Sequence, residues 1–242
     1  MILGTNVVAH VPDLHDFLEG IKILLDEGGL FIAEFPYLVD LLEKVEFDTI
    51  YQEHLSYFSL SPFIHLLKQH GLGLVDVERI SVHGGSLRVT MSVGNKTVCD
   101  NAKELLKLEA EMGLFKAKTY LNFGKKVDKI RHELVQLLWG LRLQGKRIVG
   151  YGASAKGNVM LNYCRIGPET LDYIVDSISY KQGKFTPGMH IPIYPESRLL
   201  EDQPDFALLL AWNFADEIIK KQGIYRSRGG KFLLSIPELT IV

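Results

Sequence analysis

Apolar residues along this chain fall into short unbroken runs separated by stretches of three-to-four-residue period, the pattern of strands alternating with helices. Met1-Ile-Leu-Gly-Thr-Asn-Val-Val-Ala9 reads as the end of a strand. Val11-Pro-Asp13 supplies a turn and a helix start. Leu14, Phe17, Leu18, Ile21, Leu24 and Leu25 then recur at helical spacing until Glu27-Gly-Gly29 stops the helix. Leu30-Phe-Ile-Ala-Glu-Phe35 has the unbroken apolar character of a buried parallel strand. A short helix over 38–45 and one over 61–71, with Ser61 and Pro62 at its start, follow. Leu74–Ile80 and Leu87–Val93, joined by His83-Gly-Gly-Ser86, predict an antiparallel pair at a sheet edge.

From Cys99 to about Leu143 the period is helical throughout. Tyr120, Phe123, Val127, Ile130, Leu134, Leu137 and Leu141 form an apolar stripe, with Lys and Arg on the other faces. This segment reads as a connector. A coiled-coil seam is disfavoured because the stripe is short. A second alternating series then begins. Strands are predicted at 146–151, 171–176, 206–212 and 231–236, with helices between them, which implies a parallel sheet with right-handed crossovers. The pattern divides the chain into 1–95, a helical connector 96–143, and a complete α/β domain 144–242.

The chain has 242 residues, 47% of them hydrophobic and 23% charged, with a net charge of −2. That balance offers neither a nucleic-acid nor a membrane surface. No apolar run reaches the roughly 20 residues a spanning helix needs. Cys99 and Cys164 have no metal-ligand spacing, and no metal site is expected. Two cysteines without a framework suit a reducing compartment, and a cytoplasmic protein is the expectation.

Candidate chemistry gathers in two places. Tyr51-Gln-Glu-His-Leu-Ser-Tyr-Phe-Ser59 puts Glu53, His54, Tyr51 and Tyr57 just beyond the strand ending at Pro36. Imidazole titrates near neutrality and a neighbouring carboxylate tunes it, so this is a candidate proton-transfer site. The bland alternative is that Glu53 and His54 open a surface helix with the tyrosines packed beneath. The second place is Gly150-Tyr-Gly-Ala-Ser-Ala-Lys-Gly157, a glycine-rich strand-to-helix turn. Gly152 admits a ligand close to the backbone, Ser154 offers a hydroxyl and Lys156 a point charge. Asp176 ends the next strand, where a ribose-binding acid is common. Lys181 and His190 lie on the following loop, and Trp212 and Asn213 follow the strand ending at Ala211. A tight turn without ligand, a solvated loop and a packing tryptophan are the alternatives.

These blocks, with His83-Gly-Gly-Ser-Leu-Arg88, Tyr180-Lys-Gln-Gly183, Thr186-Pro-Gly188, His190-Ile-Pro192 and Ala211-Trp-Asn213, resemble the S-adenosylmethionine-dependent sugar C-methyltransferases. The resemblance implies part of a class I methyltransferase Rossmann-like sheet in 1–95 and a second, complete Rossmann-like domain in 144–242. It implies methylation of the carbon beside the keto group of a dTDP-linked 4-keto-deoxysugar, with S-adenosylmethionine as donor. His54 matches the family's proposed base. Glu53 would orient it, Tyr51 would donate to the enolate oxygen, and Arg88 would line the crevice or serve the sheet edge. Gln52 stands where the family commonly has His. The family's zinc-binding cysteine pairs and the glycine loop that holds the methyl donor are absent from this sequence. The expectation is therefore a truncated form or half-enzyme, completed by a partner chain or by self-association. Two other readings compete: a non-catalytic nucleotide-sugar-binding module, and a nucleotide-dependent oxidoreductase built on the Gly150 loop. The latter is disfavoured because its glycine spacing is wrong and Tyr51–Ser59 would have no role.

Overall fold

A computed structural model describes residues 1–94 and 96–242, so the domain boundary expected at residue 95 falls outside the described positions. The chain forms two compact units. The first comprises Met1–Lys44 and Gln52–Phe123, and the second Val45–Tyr51 and Gly124–Val242.

In the first unit, β1 (Ile2–Thr5) leads through a 3-10 turn at Val8–His10 into α1 (Leu14–Leu24), whose N-cap Asp13 accepts from the backbone of His15 and Asp16. β2 (Phe31–Pro36), α2 (Leu38–Glu43), α3 (Leu60–Gln69), β3 (Leu72–Ile80), β4 (Ser86–Val93) and α4 (Asp100–Met112) complete it. The sheet order is β1-β2-β4-β3, with β1 parallel to β2 and the remaining pairs antiparallel. β2 alternates buried and half-buried residues, and its inner face carries Phe31, Ala33 and Phe35. Phe35, Phe58 and Phe63 pack ring against ring at 4.8–5.4 Å in the core.

The stretch read as one helix from Cys99 to Leu143 is two helices. Gly113, at φ 67°, ends α4 in the left-handed conformation that glycine adopts without a Cβ penalty. The second helix, α5 (Ala117–Leu143), buries Val127, Ile130, Leu134, Leu138 and Leu141.

In the second unit, β5 (Ile148–Tyr151), α6 (Ala155–Cys164), β6 (Ile174–Asp176), β7 (Ile193–Pro195), α7 (Ser197–Asp202), β8 (Phe206–Leu209), α8 (Ala215–Lys221), α9 (Gly223–Ser227), β9 (Lys231–Leu234) and β10 (Thr240–Ile241) follow in order. Their sheet runs β10-β9-β8-β5-β6-β7, parallel except for the terminal β10. β5 and β8 are wholly buried, as strands covered on both faces must be. Both units are α/β, as the sequence pattern implies. Among the described residues no helix is long and apolar enough to cross a membrane.

Candidate functional site

Three clusters emerge, one in the first unit and two in the second. In the first unit, parallel β1 and β2 end side by side, and the chain beyond β1 turns through Val8–His10. The Ala9 carbonyl accepts from Leu55 N–H at 2.8 Å and from Ser56 N–H at 3.2 Å, so the loop after Gln52 is tied to that turn. This sets the His54 ring edge-on to His10, 5.0 Å between centroids, with Tyr57 at 6.1 Å on a nearly perpendicular plane. Glu53 is exposed and His54 half-buried. Residues 51–53 form a bend and turn and 54–55 follow without regular structure, so no surface helix opens here. Tyr51 closes the segment that belongs to the second unit.

Arg88 sits in the middle of the first sheet, opposite Glu34 on one side and Glu78 on the other. It donates to Glu34 at 2.6 Å and to Glu78 at 3.2 Å, a cross-strand carboxylate–guanidinium–carboxylate ladder. The His83-Gly-Gly-Ser86 turn has a structural partner of its own. Gly85 has φ 149°, and a Cβ there would lie 2.0 Å from Asp40 Cγ. Asp40 is buried and paired with Arg79 and Lys44.

In the second unit, Ser154 caps α6. Its Oγ accepts from Gly157 N–H at 3.0 Å and donates to the Leu210 carbonyl at 3.2 Å. Gly152, at φ 90°, would bring a Cβ within 2.9 Å of Ala211 Cβ, so the turn needs glycine for close approach to β8's end. Asp176 is 6% exposed, at the end of β6. Its Oδ2 accepts from Ala153 N–H at 2.7 Å and from Lys181 at 3.2 Å, and its Oδ1 from Ile178 N–H at 2.8 Å. Gly152, Ser154, Asp176 and Lys181 line one cavity of 320 Å³ together with Tyr151, Glu196, Ile178, Phe214 and Lys221. Burial pushes the Tyr151 phenol up, and it donates to Glu196 while accepting from Gln222 at 3.0 Å.

Lys156 and Trp212 gather elsewhere. The Lys156 ammonium lies over the Trp212 ring, 4.7 Å from its centroid, and the indole N–H donates to Asp48 Oδ2 at 2.6 Å. Asp48 comes from the 3-10 turn Phe47–Thr49, whose Phe47 packs on Tyr163 of α6 at 5.3 Å. Asp48 is fully buried, and burial pushes its carboxyl up to about 6 against the opposing pull of the indole and Lys156. Burial pushes Lys156 down, opposed by Asp48 and Glu46. Asn213 follows Trp212 in the turn, and His190, at φ 54°, is exposed; neither lines the cavity.

His10 and Asp48 were not singled out from the sequence. His10 had a weak signal, since it follows a strand end in the same way as the Glu53-His54 pair. Asp48 had no such signal, since Glu46 and Thr49 beside it make the segment read as ordinary polar loop.

A family model described as the C-methyltransferase C-terminal domain matches residues 81–237. The C-methyltransferase NovU of Streptomyces niveus is 38% identical over 244 residues, covering 100% of this chain and 58% of that protein. An orotidine 5'-phosphate decarboxylase of Cupriavidus metallidurans is 27% identical over 161 residues, covering 62% of this chain and 58% of that protein. The chain thus spans somewhat more than half the length that NovU has. With the family model matching most of its length, the chain belongs to the C-methyltransferase family, whose C-terminal domain it carries.

Proposed function

We propose that this chain is the C-terminal part of an S-adenosylmethionine-dependent sugar C-methyltransferase that acts beside the keto group of a dTDP-linked 4-keto-deoxysugar. The observation that carries the reading is the His54 ring flanked by His10 and Tyr57 beyond the paired ends of β1 and β2. A C–H beside a ketone must lose its proton before the carbon can attack a methyl group. A base that titrates near neutrality and a donor for the enolate oxygen meet that need. His54 takes the proton, Glu53 orients the imidazole, and Tyr51 donates to the oxygen. In the second unit, Lys156 meets the diphosphate, while the cavity at Gly152 and Asp176 takes the rest of the nucleotide.

The methyl donor supplies the electrophilic carbon. The residues described do not fit it. The turn between β1 and α1 is Asn6–Asp13, which has no glycine to admit a ligand against the backbone. We propose that a portion equivalent to the remainder of the relative holds it. β1, an edge strand with Leu3 exposed, is the place for additional strands. The three-part division 1–95, 96–143 and 144–242 remains our functional reading of the chain.

The test is methyl transfer to a dTDP-4-keto-deoxysugar, followed by mass, with the N-terminal remainder of a relative such as NovU supplied in trans. Product whose formation requires both chains supports the reading. A folded, assembled pair that transfers no methyl group, and binds no dTDP through this chain, refutes it.

A further inference from the structure

Residues Val45–Tyr51 belong to the second unit, although Lys44 before them and Gln52 after them belong to the first. Ordering so short a segment costs conformational entropy that specific contacts must offset. Its turn, Phe47–Thr49, is closed internally: the Thr49 N–H and hydroxyl both donate to the Glu46 carbonyl, at 3.1 and 2.7 Å. Its entry is strained. Val45 has φ 56°, a left-handed conformation in which a β-branched residue is an outlier. Such outliers persist only where the surroundings fix them.

Two contacts within the second unit tie the turn down. Phe47 packs on the Tyr163 ring, and Asp48 Oδ2 accepts the Trp212 indole N–H at 2.6 Å. They differ in kind. Rings can slide and rotate against each other, whereas the hydrogen bond is directional. It also carries a desolvation cost. Asp48 is fully buried, and its Oδ1 has no hydrogen-bond partner among the described residues. An apolar side chain of similar volume would fill the place without that cost. Packing alone does not account for a carboxylate here.

From this anchor the chain comes out quickly. Asp48 and Thr49 are buried, Tyr51 is half-buried, and Gln52 and Glu53 are exposed. Tyr51 is three steps along the chain from Asp48, so their Cα atoms lie no more than about 11 Å apart. A lever this short passes on any shift of its anchor.

We propose that Asp48 is a positioning residue for the reaction: its bond to Trp212 fixes the register of the 3-10 turn and so sets Tyr51, the donor to the enolate oxygen. The inference rests on the role proposed for Tyr51 above. Asp48 is buried and acts through Tyr51, not on the substrate. A misplacement of about 1 Å at a catalytic group costs about a hundredfold in rate, so the bond acts on turnover more than on substrate affinity.

The test follows two variants. Asp48→Leu/Trp212→Phe replaces both partners by apolar side chains, so neither is left buried and unpaired. Asp48→Asn keeps an acceptor for the indole. Circular dichroism verifies that each is folded, and Trp212→Phe alone replaces the double variant if that one is not. In the full chain, amide hydrogen exchange over 49–53, followed by mass, is expected to quicken about tenfold or more in the double variant, the loss of a charged hydrogen bond. The rates in β5 and α6 stay as they are, and Asp48→Asn behaves like the wild type. The second measurement uses the chain assembled with the remainder of a relative such as NovU, and reads deuterium exchange at the carbon beside the keto group. The double variant is expected to lose about tenfold or more in kcat with a smaller change in KM, and Asp48→Asn to retain kcat.

Wild-type amide rates over 49–53 in the double variant overturn the proposal. So does a quickening shared by β5 and α6, the mark of a general loss of stability. A double variant with wild-type kcat, or with a defect in KM alone, removes the inference and leaves the proposed function standing. If the wild-type assembly exchanges no substrate deuterium, the proposed function falls and the positioning role with it, while the amide rates still decide whether the bond holds the segment.

Discussion

Replacing Asp48 by Asn removes one buried charge while leaving the shape of the site almost unaltered. Asp48 is fully buried in the second unit, with Oδ2 on the Trp212 indole at 2.6 Å. Its Oδ1 has no hydrogen-bond partner among the described residues. Burial lifts the carboxyl from 3.8 to about 6. The folded state therefore holds the proton more tightly than the unfolded chain does. That contribution to stability is complete below about pH 4 and is lost as pH rises through about 6. The interval from 3.8 to about 6 corresponds to about 3 kcal/mol. Asn keeps an acceptor for the indole and does not ionise. It introduces an amide that needs a partner, at a cost of about 1 kcal/mol, and it deprives Lys156 of a counter-charge. Asp48→Asn should therefore be more stable than the wild type by about 1–2 kcal/mol at pH 8, and equal or less stable at pH 4.5. Both tryptophans, Trp139 and Trp212, lie in the second unit, so urea denaturation followed by tryptophan fluorescence reads that unit. Parallel stability curves for the two proteins from pH 4 to 8 would refute the reasoning.

Other expectations follow from the same geometry. Glu109 is fully buried and accepts from Tyr37 Oη at 2.9 Å, Leu60 N–H at 2.5 Å and Ser61 N–H at 3.1 Å. Glu109→Ala should destabilise the first unit by about 3 kcal/mol or more, seen as faster amide exchange across α3. Gly85→Ala forces a side chain onto Asp40 at a φ of 149°, and should cost about 3 kcal/mol or more. A melting temperature within a degree or two of the wild type, measured by circular dichroism, would contradict this. Lys156→Ala should weaken dTDP binding about tenfold in calorimetry, as loss of a charged hydrogen bond does; unchanged affinity would return the loop to a plain strand–helix turn.

The alternation of strands and helices was legible because each period has a physical cause, and the predicted strands of both sheets lie close to the observed ones. The break at Gly113 was not, because apolar spacing continues on both sides of it. A single glycine inside a helical pattern is weak evidence of an end. The start of α3 was misread for a related reason. Ser61 and Pro62 resemble a helix opening, yet the helix begins at Leu60, and Glu109, 49 residues on, satisfies its first N–H groups. Long-range partners of this kind leave no trace in local spacing. In the candidate sites, the sequence brought forward Gly152, Ser154, Asp176 and Lys181, and these share one cavity. It could not show that Lys156 and Trp212 would gather with Asp48, more than a hundred residues earlier, because only the fold joins them.

Deuterium exchange at the carbon beside the keto group of a dTDP-4-keto-deoxysugar isolates proton removal from methyl transfer. It tests the central claim in the chain assembled with the remaining portion of a relative. The account predicts exchange by the wild type and a loss of about a hundredfold or more in His54→Ala, with dTDP affinity retained. Exchange by His54→Ala at the wild-type rate would contradict it.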